Sequence, residues 1–136
     1  MKKALASPKV ASTKGPYVQG VAVSDGTLIY TSGVVGRDVN ARIQGIGDIA
    51  VQTRQCLKNI ENIIEAGGGT LQDLVKVTVF LRDLRDYAAM NEVRREVLGE
   101  VAFASSTVQA QLNAPEALVE IEAVAFVSNS KKGERK

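Results

Sequence analysis

Eight consecutive residues, Leu74-Val75-Lys76-Val77-Thr78-Val79-Phe80-Leu81, leave this chain few ways to fold. β-Branched content this dense favours an extended strand, and alternation gives the strand two unlike faces. One row is Val75, Val77, Val79 and Leu81; the other is Leu74, Lys76, Thr78 and Phe80. The strand runs into an Asp/Arg-rich corner, Arg82-Asp83-Leu84-Arg85-Asp86, and then a helix whose opening carries Asn91. Such a corner brings a polar side chain to the end of a sheet without breaking the core.

The rest of the pattern fits around that strand. Lys3–Ala6 is a short extended start, and Gly15-Pro16-Tyr17-Val18-Gln19-Gly20 is a turn. Val18–Ser24 reads as a strand, Asp25-Gly26 as a two-residue hairpin signal, and Thr27–Ser32 as the returning strand. Residues 33–47 form a glycine-rich loop carrying Arg37, Asp38 and Arg42. Asp48 N-caps a helix with the apolar stripe Ile49, Cys56, Leu57, Ile60, Ile63 and Ile64. Gly67-Gly68-Gly69 ends it as a C-cap turn; a phosphate loop would open a helix and carry Gly-Lys-Ser/Thr. Asp86 caps a second helix through Leu98, with Ala89, Met90, Val93 and Val97 inward. Two more strands, 105–112 and 118–127, are joined by Asn113-Ala114-Pro115-Glu116. The order β, β, β, α, β, α, β, β implies an α+β sandwich with two helices on one side of a mixed sheet.

Two helices cover one face of such a sheet. Val119, Ile121, Ala123, Ala125 and Val127 should meet them, leaving Leu118, Glu120, Glu122, Val124 and Phe126 on the other side with Phe80. Each Val or Phe left wet there forfeits about 1.5–3 kcal/mol of burial, so association of subunits through this face is expected. Glu120 then alternates with apolar neighbours on a surface that association dries, where a carboxylate can accept protons. Cross-strand pairing of Glu120 and Glu122 with Lys76 is the structural alternative.

Composition narrows the chemistry. A chain of 136 residues with 45% apolar content suits one domain, expected through residue 127 with a frayed basic tail over 128–136. Cys56 is the single cysteine and lies on an apolar stripe, which fits a reducing, cytoplasmic setting and a packing role. No apolar run approaches the ~20 residues of a membrane span. The chain has no histidine, which removes Ser-His-Asp and Cys-His triads and the common His-containing metal sites. A net charge of +2 with three Phe, three Tyr and no Trp gives little support for a nucleic-acid groove.

Taken in order, several segments resemble the RidA/YjgF-type family of enamine/imine deaminases. They are Gly15-Pro16-Tyr17-Val18-Gln19-Gly20, Thr31-Ser32-Gly33, residues 52–60, Val75 to Asp83 followed by Tyr87 and Asn91, and Val119-Glu120-Ile121-Glu122-Ala123. The resemblance covers roughly residues 12–127. It implies a homotrimer of chorismate-mutase-like domains with ligand clefts between subunits, hydrolysing small imines without metal or organic cofactor. An imine is already electrophilic and needs only a positioned water and proton transfers. The family's cleft carries over to Tyr17, Ser32, Gly33, Asn91, Thr107 and Glu120, with Glu120 orienting and deprotonating water beside the Thr107 backbone carbonyl. Tyr17 would close the cleft, while Ser32 and Asn91 would supply polar contacts at its wall.

One position departs. Deaminating members carry an arginine in a Pro-Ala-Arg-Ser-like motif that grips the substrate carboxylate. Here Phe103-Ala104-Ser105-Ser106-Thr107 places Ser105 at that point. A charge-assisted bidentate pair contributes ~1.5–3 kcal/mol, so its loss weakens the hold on a 2-imino acid by about 10–100-fold. Arg37 and Arg42 are the candidate replacements, or else solvated loop residues. The expectation is a hydrolase for a reactive imine or enamine other than 2-iminopropanoate or 2-iminobutanoate. The alternative is a non-catalytic trimer that binds a small metabolite or acts as a regulatory or chaperone-like partner.

Overall fold

Residues 1–130 are described by a computed structural model; the basic segment 131–136, most of the expected tail, lies outside the described residues. The elements are β1 (Lys2–Leu5), β2 (Gly20–Val23), β3 (Gly26–Tyr30), β4 (Val34–Val35) and α1 (Ile49–Ala66). They continue with β5 (Leu74–Leu81), α2 (Tyr87–Leu98), β6 (Ala104–Gln109) and β7 (Val119–Ser128). The main sheet runs β3-β7-β5-β6, with β4 also paired to β7. β5 and β6 are parallel, with α2 as the crossover that parallel pairing requires, and the other pairs are antiparallel.

Both helices lie on one face. Cys56, Leu57, Ile60 and Ile64 of α1 and Met90, Val93 and Leu98 of α2 pack on Val77, Val79 and Leu81 and on Val119, Ile121, Ala123 and Ala125. These are the rows expected to turn inward. The Asp48 side chain accepts from the Val51 amide at 3.1 Å, so α1 starts where its cap signal stands. An Arg54–Glu96 ion pair joins the two helices at their exposed edge.

Several local expectations change. Asp25 is a bend with φ +63° and Gly26 already opens β3, so the pair does not make a hairpin: β2 pairs with β1, and β3 pairs with β7. The early glycine-rich loop contains β4, whose Val35 faces Glu120 across the β4–β7 ladder. The Asp86 side chain makes no capping bond to α2; Asp83 instead accepts from the Arg85 amide at 2.9 Å and caps the preceding single turn. Ile63 is 37% exposed, outside the core stripe. Phe126 is buried against the bare backbone of Gly26, where a Cβ would stand 2.5 Å from its ring.

What remains uncovered on the second face is a band of mixed character. Register pairs Phe80 with Glu120 and Val108, Thr78 with Glu122 and Ser106, and Lys76 with Val124 and Ala104. Tyr30, opposite Val124, is 71% exposed, and Val108 is 45% exposed. No helix among the described residues is long and apolar enough to cross a membrane.

Candidate functional site

Five of the expected site residues fall into two hollows, Gly33 and Glu120 in one and Tyr17, Ser105 and Thr107 in the other, while Ser32 and Asn91 line neither. β7 delivers Glu120 to the first, a groove of about 550 Å³ lined also by Gly33, Arg37, Asn59 and Ile63. Gly33 is placed there by the turn from β3 into β4. A Cβ at Gly33 would lie 2.9 Å from Glu120 Oε2, so the bare backbone is what lets the carboxylate lie down beside it. Asn59 on α1 holds the adjoining loop, donating to the carbonyls of Val35 at 3.1 Å and Arg37 at 2.9 Å. Arg37 lines the groove of Glu120 and also a neighbouring depression that it shares with Arg42, Ala114 and Pro115. Ser32 is exposed and lines neither hollow.

The second hollow, about 320 Å³, lies along β6, the edge strand, and is lined by Tyr17, Tyr87, Ser105, Ser106 and Thr107. Tyr17 is set by its neighbours: Val18 N donates to Phe103 O at 2.9 Å, and Thr13 Oγ1 donates to Tyr17 O at 2.8 Å. Register decides how the two hollows relate. Ser105 and Thr107 pair with Val77 and Val79, whose side chains face the helices, while Glu120 pairs with Phe80 on the open face. One copy of the chain therefore holds Glu120 on one side of the sheet and the Ser105/Thr107 pair on the other.

Asn91 is 4% exposed, and within one copy its partner is Arg94. Its Oδ1 accepts from Arg94 Nε at 3.1 Å and from Arg94 Nη2 at 2.7 Å. Arg94 Nη1 in turn donates to Ser105 Oγ at 2.7 Å, and the guanidinium lies 5.6 Å from the centre of the Phe103 ring. Arg94 is 0% exposed, and among the described residues no carboxylate pairs with it. Burial lowers its pKa from the ordinary arginine value, while Tyr87 and Tyr17 act in the opposite direction; an arginine stays protonated all the same. Sequence reasoning missed this residue. The available signal was its place four residues after Met90 and three before Val97, which sets a cation on the inward stripe.

Cys56 is buried beneath the groove of Glu120. Its thiol is pushed up to about 12, first by burial and then by the Glu120 charge, so it is inert as a nucleophile.

Residues 8–127 match the family model described as Endoribonuclease L-PSP. A RutC family protein of Pyrococcus horikoshii is 39% identical over 126 residues, covering 93% of this chain and 98% of the relative. A protein of Acinetobacter baylyi named 3-aminoacrylate deaminase RutC is 40% identical over 112 residues, covering 82% and 87%. Among solved structures, that of the YjgF gene product of E. coli superposes with a TM-score of 0.67 at 35% identity, covering 91% of this chain and 98% of that one.

Proposed function

Because the chain belongs to the Endoribonuclease L-PSP family, which takes in the YjgF, RidA and RutC proteins, we propose that it is an imine or enamine deaminase-like hydrolase. The observation that carries this reading is the division of the site across the sheet. Glu120 and the Ser105/Thr107 pair lie on opposite faces of the sheet within one copy, which supports a cleft assembled between copies, as a homotrimer would provide. The uncovered Tyr30, Phe80, Val108 and Val124 favour the same association.

In such a cleft Glu120 orients a water and takes its proton while the oxygen adds to the C=N carbon. The proton passes to nitrogen, the C–N bond breaks, and a carbonyl compound and ammonia leave. An enamine enters the same sequence after protonation at carbon. Every proton needed comes from the water, the carboxyl group and solvent. RNA cleavage, which the family's name suggests, is the weaker reading for a chain of +2 net charge with no histidine and no tryptophan. A non-catalytic binding role draws support from Asn91, whose oxygen is already engaged by Arg94.

The test is to generate 2-iminopropanoate from serine with a dehydratase, and 3-aminoacrylate in parallel, and to follow semicarbazone formation. The protein should divert one of these from semicarbazide, and Glu120→Gln should slow that by about 10²–10⁴-fold. Equal rates for wild type and Glu120→Gln would sink the hydrolase reading.

A further inference from the structure

A buried guanidinium without a carboxylate is uncommon, because charged side chains are almost never fully buried unless paired. Arg94 has five N–H groups, of which two go to Asn91 and one to Ser105. Both acceptors, Asn91 Oδ1 and Ser105 Oγ, are neutral oxygens, so none of these three bonds cancels the charge. Phe103 offers only the face of a ring.

The charge sits directly behind the hollow on β6. Ser105 Oγ accepts from Arg94, which leaves the hydroxyl proton free to donate in another direction, and Ser105 lines the hollow. The next residue repeats the arrangement from the opposite face: Ser106 Oγ accepts from Lys76 Nζ at 3.0 Å. Lys76 likewise makes no ion pair with a carboxylate among the described residues. Two neighbouring hydroxyls are thus each backed by a cation. The rest of the lining, Tyr17, Tyr87 and Thr107, contributes hydroxyl groups and no acid.

We infer that Arg94, reaching from α2, supplies the cation that the strand lacks at Ser105, and that this hollow takes the carboxylate end of a small ligand through the Ser105 hydroxyl. This rests on the cleft proposed above and names the part of it that recognises the substrate. Arg94 is a positioning residue in this scheme. It is fully buried, touches the ligand through Ser105, and is itself oriented by Asn91. Within one copy neither loop arginine lines this hollow, since Arg37 lies with Glu120 and Arg42 in neither. It also returns carboxylate-bearing imines to the substrate class.

Binding, measured without turnover, separates this inference from the hydrolase reading. Wild-type protein is titrated with 2-oxobutanoate and with its uncharged methyl ester by calorimetry or ligand-detected NMR. The carboxylate should bind at least about tenfold more tightly than the ester. Arg94→Met should lose that preference while still binding the ester, whereas Arg94→Lys should retain part of it. A purely structural arginine would weaken both ligands alike. Ser105→Ala should lower the preference too, and it carries the test if Arg94→Met does not fold. The exchange Ser105→Arg with Arg94→Met should restore the preference by returning a guanidinium to the strand. Equal binding of acid and ester by the wild type, or an unchanged preference in both Arg94→Met and Ser105→Ala, would overturn the inference. Those outcomes leave the Glu120 experiment unaffected.

Discussion

At Gly33 an added methyl group would stand 2.9 Å from Glu120 Oε2 and 3.0 Å from its Cδ, so the carboxylate must swing aside to admit it. Gly33→Ala should therefore lower kcat by about 10–100-fold through misplacement of the base. Stability should change by less than ~1 kcal/mol, because the groove is open and the carboxylate can move. Steady-state rates beside a urea melt would check both halves. Cys56 gives a second prediction at this scale. Its folded-state pKa is raised from 9.0 to about 12, so between those values the unfolded chain releases a proton that the native protein keeps. The thiol's contribution is intact below pH 9 and declines as pH rises, by about 1.4 kcal/mol per pH unit. In Cys56→Val the fall in stability from pH 9 to 11 should be shallower than in wild type by roughly that slope. Identical slopes would show that the thiol is not protected by burial. Single residues were legible to unequal degrees. The position of Glu120 followed from strand alternation, whereas Arg94 was hidden because a helix wheel assigns charge to solvent. Its place on the inward stripe of α2 is the signal that outweighs its charge, and the bonds to Asn91 and Ser105 hold it there.

Helix α1 shows how an element depends on one polar side chain that looks ordinary in sequence. Gln52 is 0% exposed; its amide donates to Gly45 O and Glu116 O at 3.1 Å each, and its oxygen accepts from Leu118 N at 2.8 Å. It thus fastens the loop before α1 and the β6–β7 connection to one turn of helix. Replacement by leucine keeps the bulk but leaves three backbone groups without their partner, which should cost about 2–4 kcal/mol. A urea titration of Gln52→Leu would check this, and a loss under 1 kcal/mol would mean that water takes over those bonds. Element types were largely readable, since β5 announces itself by β-branching and α1 by its cap and stripe. Pairing was less so. Val18–Ser24 and Thr27–Ser32 look like hairpin partners across Asp25-Gly26, yet β2 goes to β1 while β3 takes the edge of β7. Local turn chemistry carries no information about a competing strand a hundred residues away, and β7 offers β3 a longer apolar ladder than β2 can.

For the whole molecule, the cleft proposed between copies makes activity depend on which copies meet. Phe80 lies at the centre of the uncovered band, beside Glu120 and Val108. Phe80→Glu adds a charge there and should give a folded monomer by sedimentation, with native circular dichroism and no turnover. A stronger test needs no loss of assembly. Glu120→Gln disables one half of each cleft, and Ser105→Glu, which fills the β6 hollow and faces Arg94, disables the other. Each homo-oligomer should be inactive. When the two are mixed in equal amounts, unfolded and refolded together, every cleft draws Glu120 from one copy and Ser105 from its neighbour. With random assembly, about one cleft in four then receives both intact halves. Roughly a quarter of wild-type activity should return, in oligomers in which neither variant works alone. Had both halves belonged to the same copy, mixing could restore nothing, because no chain in the mixture carries them together. The refolded mixture therefore distinguishes a cleft shared between copies from one contained in a single chain.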